Sequence, residues 1–182
     1  MSRDVNDYGA IDRMQAASVG LPGQRTFRLQ FINADGQSAN LWIEKEQLQA
    51  LGSAIDQLMA QLSDDPYIDI ATREGQESTP QVGARFPDAS DLELKIGKLA
   101  LGYDEGRARF TLLVHDVEAD QEGPANFRCL VTRDQLRDLS GNIEDVVSSG
   151  RPRCPLCGTP LSVGMAHFCP PSNGHAQVQI EE

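Results

Sequence analysis

Three of the four cysteines lie close together near the C-terminal end of the sequence, with a spacing that suits a metal ion. The segment Cys154-Pro-Leu-Cys157 is followed by glycine, and a Cys-x-x-Cys turn of this kind directs two thiolates at one tetrahedral centre. Two further donors must come from His167, Cys169 or His175. Thiolate and imidazole ligands in this number are typical of Zn²⁺. The sequence therefore predicts a zinc knuckle within residues 150–182.

A disulfide and a redox-active pair are the two alternative uses of the Cys-x-x-Cys motif. A disulfide needs an oxidising compartment, but residues 1–10 lack the basic and apolar regions of an export signal. A thioredoxin-like pair needs a surrounding βαβ pattern, which this sequence does not show. No apolar run approaches the ~20 residues of a membrane-spanning helix. We therefore expect a cytoplasmic protein that does not insert into a membrane.

An enzymatic use of the zinc would require residues that the sequence does not supply in the usual pattern. Zinc deaminases combine His-x-Glu with Pro-Cys-x-x-Cys, and the Glu moves protons. The nearest counterpart is His115-Asp-Val-Glu118, which is one residue too long and is expected on the surface of a strand. The remaining cysteine, Cys129, is predicted as a buried thiol on the apolar face of a strand. We assign no catalytic residue, and a zinc enzyme of unknown reaction is the main alternative.

RNA recognition through the knuckle is the second alternative. Arg151 and Arg153 flank the first cysteine of the motif, and Phe168 could stack on a base. However, the chain carries a net charge of −11, which repels phosphates over most of its surface. The two arginines also suit the C-terminal end of a helix that is predicted to end near Gly150. Nucleic-acid binding is therefore not expected.

The residues of the first half predict a hairpin followed by a helix. Residues 26–32 and 39–43 alternate apolar and polar side chains on either side of an Asp-Gly turn. From Glu44 onwards the apolar residues recur with a period of ~3.6 residues, which is the period of an α-helix.

The residues of the second half predict three strands and a helix, with strands over 94–103, 107–117 and 127–131. The apolar register shifts at Gly97, which indicates a β-bulge. Thr132-Arg-Asp-Gln135 has the spacing of a capping box and is predicted to open the helix.

An internal repeat relates the two halves. Residues 41–56 align without gaps on residues 129–144, an offset of 88. Four pairs are identical: Gln47/Gln135, Leu48/Leu136, Leu51/Leu139 and Ile55/Ile143. Because strand, junction and helix all stay in register, we predict an α+β fold made of a duplicated strand–strand–helix unit. The two units are placed at about 19–62 and 94–149.

An acidic segment, residues 63–93, separates the two units. It contains three prolines and eight carboxylates but few large apolar residues, so it cannot bury enough surface to offset its ordering entropy. We expect a long mobile loop. The predicted organisation is one domain over 1–149, interrupted by this loop, and a C-terminal zinc-knuckle segment over 150–182.

Five segments carry a resemblance to a known family: Val19–Phe27, Glu44–Gln47, Ala100–Asp104, Gly150–Gly158 and His167–Gly174. They resemble a bacterial family, best represented in actinobacteria, that is described as an uncharacterised repeat protein or domain of unknown function 3090. The resemblance implies no activity. It does imply His167 as the fourth ligand, because the family typically has no histidine at the position of His175. The implied zinc ligands are Cys154, Cys157, His167 and Cys169.

Together these observations predict a non-catalytic protein with a structural zinc. Three thiolates and one imidazole complete a tetrahedral shell and leave no position for water or substrate. The sheet-and-helix body is then expected to bind a protein partner or to act as a regulatory scaffold.

Overall fold

The computed structural model describes most of the predicted domain and three residues of the C-terminal segment. It covers residues 5–21, 23–63, 85–104, 106–149, 154, 156 and 157. Within these residues, the elements follow in the order β1 (Asn6–Val19), β2 (Thr26–Asn33), β3 (Ser38–Ile43), α1 (Lys45–Ser63), β4 (Leu92–Asp104), β5 (Arg109–Asp116), β6 (Phe127–Val131) and α2 (Arg133–Ser148). This content confirms the predicted α+β class. Neither of the two helices is both long and apolar enough to span a bilayer.

The strands form a closed barrel in which each strand pairs with its neighbours in sequence, and β6 returns to β1. The β1–β2, β2–β3, β4–β5 and β5–β6 pairs are antiparallel, whereas β3–β4 and β6–β1 are parallel. The parallel pairs are short, since β3 pairs with Leu92–Lys95 and β6 pairs with Asn6–Ala10. The remaining parts of β4 and β1 therefore each have one edge that no strand of the described residues covers.

Strand β1 was not predicted from the sequence. Its pairing with β2 shifts between Ile11 and Arg13. The buried positions of β1 are Tyr8, Ile11 and Ala16, so they change from even to odd numbers and back to even along the strand. Such a bulge interrupts the period-2 alternation by which a strand is recognised. With β1 included, three strands precede the helix in each half of the chain.

Several predicted local features are confirmed. Gly36, in the turn between β2 and β3, has φ +82°, a conformation that glycine adopts at little cost. The pairing of β4 with β5 shifts at Gly97 as predicted, and a Cβ atom there would lie 2.8 Å from Cα of Val117. Both bonds of the predicted capping box form: Gln135 N–H donates to Oγ1 of Thr132 (3.1 Å), and Thr132 N–H donates to Oε1 of Gln135 (2.9 Å).

The barrel interior and the two helices share one apolar core. Alternate side chains of β2, β5 and β6 point inward, and the rings of Phe31 and Phe127 lie 5.3 Å apart. The two helices pack on each other, where Ser140 Oγ donates to the carbonyl oxygen of Gly52 (3.4 Å). Helix α2 also packs closely along β1, whereas the backbone of α1 lies farther from the strands and reaches the core through side chains such as Leu48 and Ile55.

The C-terminal part of the predicted acidic loop is ordered on the barrel. Strand β4 begins at Leu92, and residues 85–91 lie against the outer face of β2 and β3. Residues 64–84, the rest of that loop, lie outside the described residues.

Candidate functional site

The predicted zinc ligands are divided between the described and the undescribed parts of the chain. Cys154 is 7% exposed and Cys157 is half-buried, a few residues after α2 ends. The other predicted ligands, His167 and Cys169, and the alternative His175 lie outside the described residues. Among the residues that are described, no group of three His, Cys, Asp or Glu side chains could hold a metal ion. The complete ligand set therefore stays a prediction.

The end of helix α2, from which the knuckle segment departs, is held by the β1–β2 hairpin. The guanidinium of Arg25 donates to the carbonyl oxygen of Val146 (3.2 Å) and to Oγ of Ser149 (3.3 Å). A cation at this place is favourable because the last carbonyls of a helix carry partial negative charge. The sequence indicated Arg151 and Arg153 for this role, but both lie outside the described residues. Arg25, far away in sequence, is the cation that the structure places there.

Cys129 is the buried thiol that was predicted. It lies on β6 inside the barrel and is completely buried. Burial, and to a smaller extent the negative charge of Asp7, raises the pKa of this thiol far above its ordinary value. The thiol is therefore protonated and is not a nucleophile, since the thiolate is the reactive form.

His115 was expected at the surface of a strand, and this expectation was wrong. The residue lies on β5 but is only 8% exposed. The loop after β5 folds back on the end of that strand, where Gln121 Nε2 donates to the carbonyl oxygen of Asp116 (2.6 Å). Glu118 lies exposed in the following turn, where its N–H donates to Oδ1 of Asp116 (2.9 Å). The Nδ1 atom of His115 has no hydrogen-bond partner within the described part of the chain.

A chain of side-chain hydrogen bonds, here called the outer-face cluster, crosses the outside of the barrel from β1 to β4. It joins Gln15, Gln30, Asn40 and Glu93. Gln15 Nε2 donates to Oε1 of Gln30 (2.8 Å), and Gln30 Nε2 donates to Oδ1 of Asn40 (3.0 Å). Asn40 Nδ2 donates to Oε1 of Glu93 (2.8 Å). Gln30 and Asn40 are 2% and 1% exposed, so these amides are removed from water.

The outer-face cluster is covered by residues 85–91. The carbonyl oxygens of Pro87 and Asp88 accept hydrogen bonds from Gln30 (3.4 Å) and Asn40 (3.3 Å). Asp91 accepts from both the N–H (2.8 Å) and the hydroxyl (2.9 Å) of Ser38 on β3. The segment is thus attached to the barrel at several points by polar contacts.

Two carboxylates of this region are held in their charged form. Partial burial opposes ionisation of Glu93, but hydrogen bonds from Asn40, Trp42 and Ser90 and the charge of Arg28 outweigh it and lower its pKa. The N–H and hydroxyl of Ser38 lower the pKa of Asp91.

Sequence reasoning missed the outer-face cluster for a definite reason. Gln30 and Asn40 occupy the polar sides of predicted strands, where contact with water is the ordinary expectation, and Glu93 was assigned to a loop. The only signal was that adjacent predicted strands both carry amide side chains on this face. Chemically, the cluster offers no nucleophile, and its donors and acceptors are used to hold residues 85–91 on the barrel.

The chain is similar to a known protein family. A protein-family model described as "Protein of unknown function (DUF3090)" matches residues 6–169. The match confirms the resemblance found in the sequence. No curated protein and no solved structure matches the chain.

Proposed function

The chain belongs to this DUF3090 family, and we propose that it is a non-catalytic cytoplasmic protein with a structural zinc and a partner-binding barrel. The proposal rests mainly on the donor set at the C-terminal end, where three thiols and one imidazole match the ligands of structural zinc sites. A reducing compartment keeps such thiols available for metal.

The described part of the knuckle supports this donor set. Cys154, which follows the end of α2 in sequence, is buried, while Leu156, between the two cysteines, is 62% exposed in a turn. A turn that exposes its central residue suits a Cys-x-x-Cys motif whose two sulfurs face one ion. The family match runs to Cys169 and ends before His175, which supports His167 as the fourth ligand. When bound, the zinc would cross-link the segment after α2.

The state of the other candidate residues favours a non-catalytic role. The thiol of Cys129 is protonated inside the barrel. The imidazole of His115 is buried near the C-terminal end of β5. The outer-face cluster uses its polar groups to attach residues 85–91. A closed four-ligand shell would likewise give the zinc no open position for a substrate.

The matching strand pairings support the proposal that the barrel is a duplicated unit. In each half, the first two strands pair antiparallel and shift register once, after Ile11 in β1 and after Ile96 in β4. In each half, the third strand pairs in parallel with the first strand of the other half. The proposed unit therefore contains three strands before its helix, one more than the strand–strand–helix unit indicated by the sequence.

Two equivalent glutamines of the sequence repeat add a second argument for duplication. Gln47 at the start of α1 donates to the carbonyl oxygen of Gly97, at the bulge of β4 (3.3 Å). Gln135 at the start of α2 donates to the carbonyl oxygens of Ile11 (2.8 Å) and Asp12 (3.3 Å), and Asp12 is the bulge residue of β1 as Gly97 is of β4. An identical residue thus meets the equivalent backbone position in the opposite half, which a chance likeness between two amphipathic helices would not require.

The zinc proposal is tested by metal analysis of protein purified under reducing conditions without chelator. We expect one zinc per chain, most of it lost in His167→Ala and retained in the matched control His175→Ala. Metal retained in the first variant and lost in the second would move the fourth ligand to His175. Absence of stoichiometric metal from the unaltered protein would overturn the proposal.

The non-catalytic role is tested on the Co²⁺-substituted protein. A closed shell of protein ligands predicts that added azide leaves the visible absorption of the Co²⁺ unchanged. A shifted spectrum would reveal an open coordination position, which is the property of a catalytic zinc site.

A further inference from the structure

We propose that the chain's own residues 176–182 add as a strand to the uncovered edge of β4, in a groove between that edge and helix α1. This groove is called the β4 groove below. The inference concerns the barrel and a segment beyond the four zinc ligands, so it does not depend on the proposed metal site.

The backbone of β4 has polar groups that point into this groove. The carbonyl oxygen of Val114 on β5 accepts a hydrogen bond from the backbone N–H that precedes β6 (2.8 Å). The N–H and carbonyl groups of the neighbouring residue, Leu113, therefore point the other way, to β4. Ala100 lies opposite Leu113 and therefore bonds to β5. The groups of Leu99 and Leu101 point the other way, because direction alternates along a strand. Among the described residues, neither N–H group takes part in a backbone hydrogen bond outside the strand pairs, and β4 pairs with β5 on its other edge.

The equivalent edge in the first half, that of β1, is closed by a helix side chain. Asn142 of α2 accepts a hydrogen bond at its Oδ1 from the N–H of Ala16 on β1 (2.6 Å). At the 88-residue offset of the repeat, the position of Asn142 in α1 is occupied by Ala54. A methyl group can neither reach the strand nor accept a hydrogen bond. The edge of β4 therefore lacks the contact that closes the edge of β1.

The space left between α1 and β4 is apolar and has a volume of about 340 Å³. Ala50 and Ala54 line its helix side, and Ile96, Leu99 and Leu101 line its sheet side. An open strand edge beside an apolar groove is the arrangement that binds an added peptide strand. Backbone hydrogen bonds hold such a strand, and alternate side chains fill the groove.

The charges at one end of the β4 groove favour an acidic end of the added strand. Beyond Ile43, which both spaces share, lies a second cavity of about 300 Å³, lined by three cations and two carboxylates. The cations are Arg25, Lys45 and Lys95. Lys95 is paired with Glu44 (3.2 Å), and the lining as a whole carries one positive charge in excess, which is a local exception on a chain with a net charge of −11. A strand antiparallel to β4 would end at this cavity.

Residues 176–182 match both requirements. Their sequence is Ala-Gln-Val-Gln-Ile-Glu-Glu, in which Ala176, Val178 and Ile180 alternate with glutamines before two glutamates follow. Val178 and Ile180 would enter the β4 groove, and the glutamates would approach the cations at its end. The 18 residues between Cys157 and Ala176 span at most roughly 60 Å. Arg25 contacts the end of α2 and also lines the second cavity, so the end of α2 and this cavity lie close together. A span of this length is therefore more than sufficient.

The proposal is tested by amide hydrogen exchange in the full chain, read at Leu99 and Leu101. We expect Ile180→Asp to accelerate exchange of these amides by at least about tenfold, because the strand that protects them would leave the groove. Gln179→Asp, which adds the same charge on the opposite side of the strand, should exchange like the unaltered protein. Ala54→Leu, which fills the groove from the helix side, should also accelerate exchange.

Each other outcome contradicts the proposal. Equal exchange in the unaltered chain, Ile180→Asp and Ala54→Leu would show that residues 176–182 do not protect β4. Acceleration by Gln179→Asp as strong as by Ile180→Asp would show a charge effect without strand addition. Protection that rises with protein concentration would assign the groove to a second copy of the chain.

Discussion

Replacing Asn40 by alanine tests whether the outer-face cluster stabilises the barrel. Asn40 is 1% exposed, accepts a hydrogen bond from Gln30 and donates to Glu93 and to the carbonyl oxygen of Asp88. Asn40→Ala removes all three bonds. The buried amide of Gln30 loses its shorter acceptor bond and keeps only the long bond to the carbonyl oxygen of Pro87 (3.4 Å), and Glu93 loses a donor that water can replace only in part. Each buried polar group left unpaired costs about 1–3 kcal/mol, so we expect a loss of about 3 kcal/mol.

The loss can be measured by urea denaturation followed by circular dichroism. With an m value of about 2 kcal/mol per molar urea, the midpoint should fall by about 1.5 M. Arg128→Ala is the matched control, because Arg128 occupies the equivalent position of β6 at the 88-residue offset. Its ion pair with Asp7 (3.3 Å) is partly exposed and contributes at most about 1 kcal/mol.

The comparison can refute the reasoning directly. If Asn40→Ala shifted the urea midpoint no more than Arg128→Ala, the buried amides would contribute no more to the stability of the protein than a partly exposed ion pair does. The contacts between residues 85–91 and the barrel would then follow from the fold without stabilising it.

Three further changes have defined outcomes. Glu93→Gln should destabilise the protein less at pH 3 than at pH 7 in urea titrations. Because the pKa of Glu93 is lowered in the folded state, its charged form stabilises the fold fully above the unfolded pKa of about 4.3, and this contribution is lost as the pH falls through the folded pKa. An equal effect at both pH values would contradict this explanation. Leu48→Ala and Leu136→Ala, both at completely buried positions, should each cost about 2–5 kcal/mol in the same assay, and a neutral result for either would show that the two helices are not packed alike. Gly97→Ala should cost about 1–3 kcal/mol because its Cβ would lie 2.8 Å from a backbone atom, whereas Gly102→Ala, with open space around it, should cost less; the reverse order would mean that the bulge can relax.

The sequence by itself determined the features that depend on neighbours along the chain. The capping box at Thr132, the bulge at Gly97 and the two amphipathic helices all arise from residues a few positions apart, and each is present as predicted. The family was also recognisable from short motifs, and the match over residues 6–169 confirms it. The zinc ligands are of the same kind, since their spacing alone indicates the chemistry, but with two of four described they stay a prediction.

Only the tertiary structure decided how the strands close and which polar residues become buried. The hydrogen bond between Asn40 and Glu93 joins residues 53 apart, and that between Gln135 and Ile11 joins residues 124 apart. Such contacts depend on strand register, and a shift of one residue would turn every side chain of a strand to the other face. Because β1 contains a bulge, its alternation is hidden, and so are its pairing with β6 and the closure of the barrel. The difference between the covered edge of β1 and the open edge of β4 likewise depends on helix packing, which no local pattern in the sequence expresses.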